Sequence, residues 1–451
     1  MLAVTVATTI LGETALQDKS GADFLPPEAI AAVQRDNWAR QRRGLKARSP
    51  FLSALWGGRD APPRLEDLPD LPFCDKALLR QSQADHPPFG AYLGTGRSMV
   101  SRLHRTSGTT GQAMNLALSA ADAALTAQVG GRAQAAAGLG PGHLVAHCLN
   151  YQMWMGGLTD HMTLEATGAT VVPFGVGATD LLVRTIQELG VTALSCTPSY
   201  PAVLERVIAE RFPGLKPRDL GLKLGLFGGE AGLDDPAFRA RLEDTWGFAV
   251  RNANYGVTDV MCNFAGQCDQ QTDLHFVGAD VLYPELIDPD TAESRPWAEG
   301  TTGELVLTHL KKDCQPLVRF RTGDIITLTA LGPCACGRTA PRLRVVGRAD
   351  DMVTVRGLNV FPTAVAAVLT ALPELSGEYR IVLPDHPPYD LLPLQAELAA
   401  GREPAPALAR AIEESIKTHL RVTARVTLLP HGALPRTEGK TRRVVKESEV
   451  S

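Results

Sequence analysis

The chain has 451 residues, of which 44% are hydrophobic and 21% are charged, and its formal net charge at pH 7 is −4. This length predicts two or three domains around a large buried core, and the balanced charge argues against a binder of nucleic acid or another polyanion. No apolar run approaches the roughly 18 residues that a membrane-spanning helix needs. The apolar opening MLAVTVATTILG lacks the basic start and cleavage site of a signal peptide, so we expect a buried segment. Eight sparse cysteines are typical of reduced thiols and predict a cytoplasmic protein.

The first part of the chain predicts helices that alternate with strands. Residues 26–48 have the pattern of a helix with a charged outer face, and a proline-rich connector leads from there to DKALLRQ. Beyond about residue 98 the predicted strands are HLVAHCL, ATVVPFG, VTALSCTPS and LKLGLFGG. The helices between and after them are DLLVRTIQELG, YPAVLERVIAERFP and PAFRARLEDTWG. This alternation predicts an α/β fold with a mostly parallel, layered sheet that binds ligands at the carboxyl ends of its strands.

The pattern changes after residue 275. The segments GELVLTHL, LVRFRTGDIITLTAL and RLRVVGR predict a β-rich region, and beyond residue 350 a smaller unit follows with strands DMVTVRG, YRIVLP and ARVTLLP and helices PTAVAAVLTAL and ALARAIEESIKTHL. We therefore predict a large N-terminal domain over residues 1–347, with its β-rich part at about 275–347. A domain boundary at 348–351 and a small α+β C-terminal domain over 352–451 complete the organisation.

A stretch rich in hydroxyl groups and glycine, HRTSGTTGQ, covers residues 104–112. It does not match the phosphate-binding pattern G-x-x-x-x-G-K-[ST], because it has no lysine. Its small polar and glycine residues are Thr106, Ser107, Gly108, Thr109, Thr110 and Gly111. Taken alone the stretch is a weak signal, since loops of small residues are common turns. A lysine that could accompany it is Lys440, far away in LPRTEGKTRRV.

Three further motifs separate that stretch from Lys440: NYGVTD at 254–259, FRTGD at 320–324 and GRADDMVTVRGLNVFP at 347–362. Their order and spacing resemble the AMP-forming acyl-CoA synthetase superfamily of adenylate-forming enzymes. The lysine-free loop, TPSY, PLVRFRTGD, C-x-C-G-R-T and RGLNVFP resemble the phenylacetate–CoA ligase family in particular. The resemblance covers the chain from about residue 70. It implies a large AMP-binding domain, a small mobile C-terminal domain, and an enzyme that converts an aromatic carboxylic acid to an acyl-adenylate with ATP and then to a coenzyme A thioester.

The resemblance also implies an ATP site. Hydroxyl and backbone N–H groups of the loop at 106–111 would hold the phosphates, and Tyr255 would stack on adenine. Asp324 would accept hydrogen bonds from both ribose hydroxyls. The implied AMP-binding residues are Gly228, Gly229, Glu230, Asn254, Tyr255, Gly256, Thr258, Asp324 and Arg348. Asp259 stands where relatives usually carry the glutamate that binds Mg²⁺, and an aspartate also offers the oxygen ligands that this ion prefers.

Lys440 is implied to be the catalytic residue, because its ammonium group can bridge the carboxylate and the α-phosphate in the transition state. Relatives use one site for two reactions, and the small domain rotates between them. Asp350 matches the hinge position of the family. Gly357 would lie beside the tunnel through which the thiol of coenzyme A enters.

The acid pocket is predicted to be apolar, with Tyr151 and Trp154 in one loop and Tyr200 after TPS, although aromatic residues are also common in cores. Two alternatives to a CoA ligase stay open. One is a stand-alone adenylation enzyme that loads an aryl acid onto the phosphopantetheine of a carrier protein, and the other is a non-catalytic nucleotide-binding regulator. The resemblance implies a homodimer, whereas the charge balance and the lack of a long apolar run predict neither a nucleic-acid partner nor a membrane partner.

A candidate zinc site consists of Cys268, His275, Cys334 and Cys336, with Cys314 as an alternative to His275. Three thiolates and one imidazole can form a closed tetrahedral site of structural character. The alternative is that the cysteines are buried small apolar residues and that His275 is an ordinary strand histidine. His161 has no spacing that suggests a metal site, and we interpret it as a loop or core residue.

Overall fold

The computed structural model describes residues 21–106, 113–230, 232–356, 358–386, 388–435 and 442–450. Within these ranges no helix combines the length and the apolar character that a crossing of the bilayer requires. The chain divides into two compact units. The first contains residues 1–228, 246–322 and 327–344, and the second contains residues 229–245, 323–326 and 345–451. The hinge at 348–351 stays a prediction.

The helices occupy the segments expected for an alternating α/β chain. Their bounds are α1 Pro27–Gln41, α2 Leu45–Arg48, α3 Pro50–Leu55, α4 Lys76–Asp85, α5 Ala120–Ala136, α6 Met155–Glu165, α7 Thr179–Leu189, α8 Tyr200–Arg211, α9 Pro236–Trp246, α10 Pro362–Thr370 and α11 Pro406–Leu420. Short 3₁₀ turns lie at several connections.

The strands form two larger sheets and two short hairpins. Their bounds are β1 Arg102–Arg105, β2 Asn115–Leu118, β3 Leu144–His147, β4 Thr170–Val172, β5 Ala193–Cys196, β6 Leu224–Gly228, β7 Ala249–Val257, β8 Met261–Gln267, β9 Leu274–Phe276, β10 Leu282–Ile287, β11 Ser294–Arg295, β12 Thr302–His309, β13 Phe320–Ala330, β14 Arg342–Arg348, β15 Val353–Val355, β16 Leu358–Val360, β17 Leu375–Leu383, β18 Leu392–Leu398, β19 Ala424–Leu429 and β20 Val444–Lys446.

The principal sheet has twelve strands in the order β11-β10-β12-β13-β14-β9-β8-β7-β6-β5-β3-β4. The strands β4, β3, β5, β6 and β7 pair in parallel, whereas β7, β8 and β9 pair antiparallel to one another. The predicted α/β fold is therefore confirmed, and the β-rich segments continue the same sheet. The central parallel strands β5 and β6 are buried along their whole length, as expected for strands with helices on both faces.

The N-terminal segment departs from the single helix predicted over residues 26–48. Gly44 adopts a left-handed backbone, with φ of +65°, and separates α1 from the short α2. Only glycine takes this conformation at little cost, so the chain turns there. The two segments and α3 then pack Trp38 and Trp56 into a core that also contains Leu310 and Val318.

Helix α5 packs against α6, β7 and β8 in the first unit. It starts with a capping box in which the Ser119 hydroxyl accepts from the Asp122 backbone N–H at 3.0 Å and the Asp122 carboxylate accepts from the Ser119 backbone N–H at 3.1 Å. Gly130 allows close packing on α6, because a Cβ atom there would lie 2.4 Å from Cγ2 of Thr163. This contact helps to fix α6, which borders the candidate site.

The second unit contains a four-stranded sheet in the order β19-β18-β17-β20, with α10 and α11 packed against it. Strand β17 pairs antiparallel with β18 and in parallel with β20, while β18 pairs in parallel with β19. Strands β18 and β20 were not among the predicted elements. The strand predicted at DMVTVRG is present as the shorter β15, which pairs with β16 in a separate hairpin that was not predicted.

Candidate active site

Several predicted site residues follow the parallel strands of the first unit. Tyr151 lies in the loop after β3, Tyr200 begins α8 after β5, and Gly228 is the last residue of β6. Because these strands pair in parallel, their carboxyl ends share one edge of the sheet. This is the edge at which open α/β sheets bind their ligands.

Gly228 makes a close approach between β6 and β7. It is the register partner of Asn254, directly after an irregularity in the pairing. A Cβ atom at Gly228 would lie 2.6 Å from both the Cβ and the carbonyl oxygen of Asn254, so only glycine fits there. The Asn254 side chain in turn donates to Oδ2 of Asp160 at 2.6 Å.

Asp160 on α6 is a buried acid that the sequence analysis missed. Burial raises the pKa of its carboxyl group to about 7, while hydrogen bonds from Cys262 and Asn254 act in the opposite direction. Its Oδ1 atom is buried and has no hydrogen-bond partner among the residues that the structure describes. The carboxyl group of Asp160, with a pKa of about 7, therefore accepts the hydrogen bond that orients the side chain of Asn254, the neighbour of Tyr255.

The hairpin of β7 and β8 presents the NYGVTD motif. The ring of Tyr255 is half-buried and packs edge-to-face on Phe264, with ring centroids 5.1 Å apart. A Cβ atom at Gly256 would lie 2.0 Å from the carbonyl oxygen of Cys262, so glycine is required for the two strands to pair. Thr258 and Asp259 lie in the turn between them.

Asp259 pairs with a lysine that the sequence did not single out. The Nζ atom of Lys76, the first residue of α4, lies 3.0 Å from Oδ2 of Asp259, whose side chain is only 4% exposed. The other oxygen, Oδ1, is buried and has no hydrogen-bond partner within the described ranges. A buried carboxylate oxygen left open in this way fits Mg²⁺, which binds one or two carboxylates together with substrate phosphates.

The second unit carries the ribose candidate Asp324. Arg348 Nη1 donates to Oδ1 of Asp324 at 2.7 Å, and Arg348 Nε donates to Oδ1 of Asp350 at 2.7 Å. Gly323, with φ of +74°, permits this arrangement, because a Cβ atom there would lie 2.7 Å from Nη2 of Arg348. One guanidinium group thus joins the ribose candidate to the hinge candidate.

Other predicted residues have simpler placements. Gly229 adopts a φ of +81°, which favours glycine, and the adjoining Glu230 is half-buried. The Thr106 hydroxyl accepts from the Met114 backbone N–H at 2.9 Å and closes the base of the hydroxyl-rich loop. Ser107, Gly108, Thr109, Thr110, Gly111, Gly357 and Lys440 lie outside the described residues.

Tyr151 belongs to a cluster of aromatic and imidazole rings. Its hydroxyl lies 2.8 Å from Nδ1 of His161, and its ring packs edge-to-face on His147 with centroids 5.5 Å apart. Burial lowers the pKa of His147 to about 4, so that ring is neutral at neutral pH. Trp154 caps α6 next to Gly156, and Tyr200 contacts the Thr179 hydroxyl at 3.4 Å.

A second cluster lies beyond the other end of β8. One ligand atom from each of four side chains lies within 4.8 Å of the other three, and the residues are Cys268, His275, Cys334 and Cys336. Burial lowers the pKa of His275 to about 4, so its ring is also neutral at neutral pH. The alternative ligand Cys314 instead accepts from the Thr95 hydroxyl at 3.6 Å.

Comparison with known proteins agrees with this geometry. The family described as "AMP-binding enzyme" matches residues 102–309, and "AMP-binding enzyme C-terminal domain" matches residues 357–447. A phenylacetate–coenzyme A ligase of Thermus thermophilus is 36% identical, over 94% of this chain and 98% of its own. A phenylacetate–coenzyme A ligase of Escherichia coli K12 is 31% identical, over 84% of this chain and 85% of its own.

Two solved structures of 2-hydroxyisobutyryl-CoA ligase, both 30% identical, are also similar. The postadenylation state with R3-HIB-AMP gives a TM-score of 0.85 over 95% of this chain and 92% of the relative. The thioesterification state with 2-HIB-AMP and CoA gives a TM-score of 0.68 over 94% and 91%. Fold and site thus define an AMP-forming acid–thiol ligase. The chain belongs to the phenylacetate–coenzyme A ligase family of the adenylate-forming superfamily.

Proposed function

We propose that the chain activates a monocyclic aromatic carboxylic acid with ATP and transfers the acyl group to the thiol of coenzyme A. The observation that carries this proposal is the shared edge of β3, β5 and β6, which puts the aromatic Tyr151 on the same side of the sheet as Gly228 and its partner Asn254. The similarity to two phenylacetate ligases supports an aromatic acid.

In the first half-reaction a carboxylate oxygen forms a bond to the α-phosphorus of ATP, and the bond from that phosphorus to the bridging oxygen breaks to release pyrophosphate. Both reactants are anions, so the enzyme must offset their repulsion. Lys76 supplies a fixed ammonium group beside Asp259. The open Oδ1 of Asp259 would hold Mg²⁺, which when bound neutralises charge on the phosphate oxygens.

Two residues would contact the nucleoside, and a third would orient one of them. Tyr255 offers the exposed part of a ring held by Phe264 for stacking on adenine. Asp324 is oriented by the hydrogen bond from Arg348, and its side-chain oxygens suit an acceptor for two ribose hydroxyls. Because Arg348 also binds Asp350, nucleotide binding would be linked to the hinge.

In the second half-reaction the acyl-adenylate reacts with the thiol of coenzyme A. This thiol loses its proton to solvent, its sulfur forms a bond to the acyl carbon, and the bond from that carbon to the AMP oxygen breaks to release AMP. We infer that Lys440 serves only the first step and that rotation at Asp350 brings Gly357 to the thiol tunnel. The two solved states of the 2-hydroxyisobutyryl-CoA ligase support such a division of steps.

A second candidate substrate is a small 2-hydroxy acid. The solved relative with 30% identity over 95% of this chain is a 2-hydroxyisobutyryl-CoA ligase. The Tyr151 hydroxyl and His161 imidazole, 2.8 Å apart, form a polar pair that could receive a substrate hydroxyl. An aromatic acid without a hydroxyl group would instead pack its ring against the rings of this cluster.

Acid-dependent exchange of labelled pyrophosphate into ATP tests the function. The panel contains phenylacetate, benzoate, 2-hydroxyisobutyrate and a long-chain fatty acid, and thioester formation is followed with coenzyme A or with a phosphopantetheine carrier protein. We expect the fastest exchange with an aromatic acid, and a thioester with coenzyme A. Preference for the fatty acid would refute the proposal. Transfer of the acyl group to the carrier protein but not to coenzyme A would show that the carrier protein is the acceptor.

A further inference from the structure

We propose that Cys268, His275, Cys334 and Cys336 bind one Zn²⁺ ion as a closed structural site. The four residues belong to two separate parts of the first unit. Cys268 directly follows β8, His275 lies in β9, and the other two lie in the loop between β13 and β14. This inference does not depend on the acid or the acceptor that the enzyme uses.

Two of the six distances between the ligand atoms match the edges of a tetrahedral zinc site, and all six are within 4.8 Å. Zinc–sulfur bonds of about 2.3 Å and zinc–nitrogen bonds of about 2.0–2.1 Å give edges of about 3.8 Å between two sulfurs and about 3.5 Å between sulfur and nitrogen. In the structure Sγ of Cys268 lies 3.9 Å from Sγ of Cys334, and Sγ of Cys336 lies 3.6 Å from Nε2 of His275. The first distance also excludes a disulfide between these sulfurs, whose bond is about 2.05 Å.

The surroundings orient the ligands as a metal site requires. Nδ1 of His275 lies 3.3 Å from the carbonyl oxygen of Ala340, a contact that places the proton on Nδ1 and directs the lone pair of Nε2 toward the sulfurs. The Cys334 backbone N–H donates to the Arg338 carbonyl at 2.8 Å, and the Gly337 N–H donates to the Cys334 carbonyl at 2.9 Å. This tight turn presents Cys334 and Cys336 to the same point.

The Nε2 contacts of His275 lie within the cluster. The residue is fully buried, and its Nε2 atom lies 3.4 Å from Gln271 Nε2 and 3.6 Å from Cys336 Sγ. Coordination to Zn²⁺ would replace these weak contacts with a strong bond to Nε2.

Charge and coordination number indicate a structural role. Three thiols would each lose a proton to solvent on binding, so the ion, three thiolates and a neutral imidazole carry a net charge of −1. Arg342 is the register partner of His275 across β9 and β14 and lies on the same face of the sheet, where it offsets this charge. Four protein ligands fill the coordination sphere and leave no position for a substrate.

Metal analysis of the purified full-length protein tests the proposal. We expect about one equivalent of Zn²⁺, which Cys334→Ser and His275→Ala should abolish while lowering the melting temperature by at least about 5 °C. Cys314→Ser is the matched control, because it removes a buried cysteine outside the cluster and should retain the zinc. Zinc-free wild type, or a Cys334→Ser protein that retains full zinc, would overturn the proposal.

A second measurement covers the case in which the variants fail to fold. Wild-type protein produced in cobalt-supplemented medium should show the intense visible absorption of tetrahedral Co²⁺ bound to thiolates. Cobalt-free protein, or the weak spectrum of an octahedral site with oxygen ligands, would overturn the assignment. Mass spectrometry should show every cysteine reduced, and a disulfide within the cluster would also contradict it.

Discussion

The two ends of strand β8 carry opposite kinds of site. At its start, Asp259 presents a buried oxygen without a described partner beside the ammonium of Lys76. At its end, Cys268 joins two other cysteines and one histidine in a closed group. About 20 Å of strand separates them. An open site with hard oxygen ligands suits Mg²⁺, which binds substrate phosphates. A closed site with soft sulfur ligands suits Zn²⁺ in a structural role.

The largest effect should come from Lys440→Ala. Loss of the ammonium that bridges the reacting anions should slow adenylation by roughly 10²–10³-fold. Conversion of a supplied acyl-adenylate to the thioester should stay nearly intact, as should zinc content. Each half-reaction is measured separately, with Lys417→Ala on the exposed face of α11 as control. Equal loss of both half-reactions would contradict the division of steps.

Asp259→Asn should affect only the proposed magnesium site at the start of β8. Removing the charged oxygen ligand should slow pyrophosphate exchange by roughly 10²-fold and raise the Mg²⁺ concentration that gives half-maximal exchange. Zinc content should be unchanged. Asp269, on the connection from β8 to β9, provides the matched control, since Asp269→Asn changes the same charge outside the proposed magnesium site. An unchanged Mg²⁺ dependence in Asp259→Asn would rule out this role.

Asp160→Asn should change how stability depends on pH. The pKa of Asp160 is about 7 in the folded protein and near 3.8 when unfolded, so the folded state holds a proton that the unfolded state has lost between these values. Stability from this group is complete below pH 4 and declines by up to about 4 kcal/mol as pH rises to 7. The variant should lack this decline in urea denaturation at pH 5 and pH 8. Parallel curves for both proteins would contradict the assignment.

Tyr151→Phe should have the smallest effect. It removes the hydroxyl that contacts His161 but keeps the ring. Exchange with an aromatic acid should change less than about threefold, while exchange with 2-hydroxyisobutyrate should fall roughly tenfold, the scale of one hydrogen bond. Tyr283→Phe in β10 is the control. A larger loss with the aromatic acid would show that the hydroxyl serves that substrate instead.

The alternation of strands and helices was readable from the sequence, because apolar runs such as LKLGLFGG form buried parallel strands. The pairing of Lys76 with Asp259 could not be predicted from the sequence, because 183 residues separate them and Lys76 does not belong to a recognisable motif. Asp160 was missed for a similar reason, because its burial depends on the packing of α6. The left-handed turn at Gly44 and strand β18 were also missed, the latter because Pro393 lies within it.

The cysteines present the intermediate case. The spacing C-x-C marked Cys334 and Cys336, and the sequence also suggested Cys268 and His275 as partners. Only the antiparallel pairing of β9 with β14 explains why residues more than 60 positions apart meet. Motifs thus identified the residue types, and the sheet supplied the distances between them.

The most direct test of this contrast between the ends of β8 uses a single preparation of the protein. Pyrophosphate exchange with the preferred acid is measured first without Mg²⁺ and then after Mg²⁺ is added to the assay. The zinc content of the protein is measured at both stages. We predict that exchange falls to background without Mg²⁺ and returns fully when it is added, while zinc stays at about one equivalent throughout. Exchange that persists without Mg²⁺, or that rises and falls with the zinc content, would contradict the account.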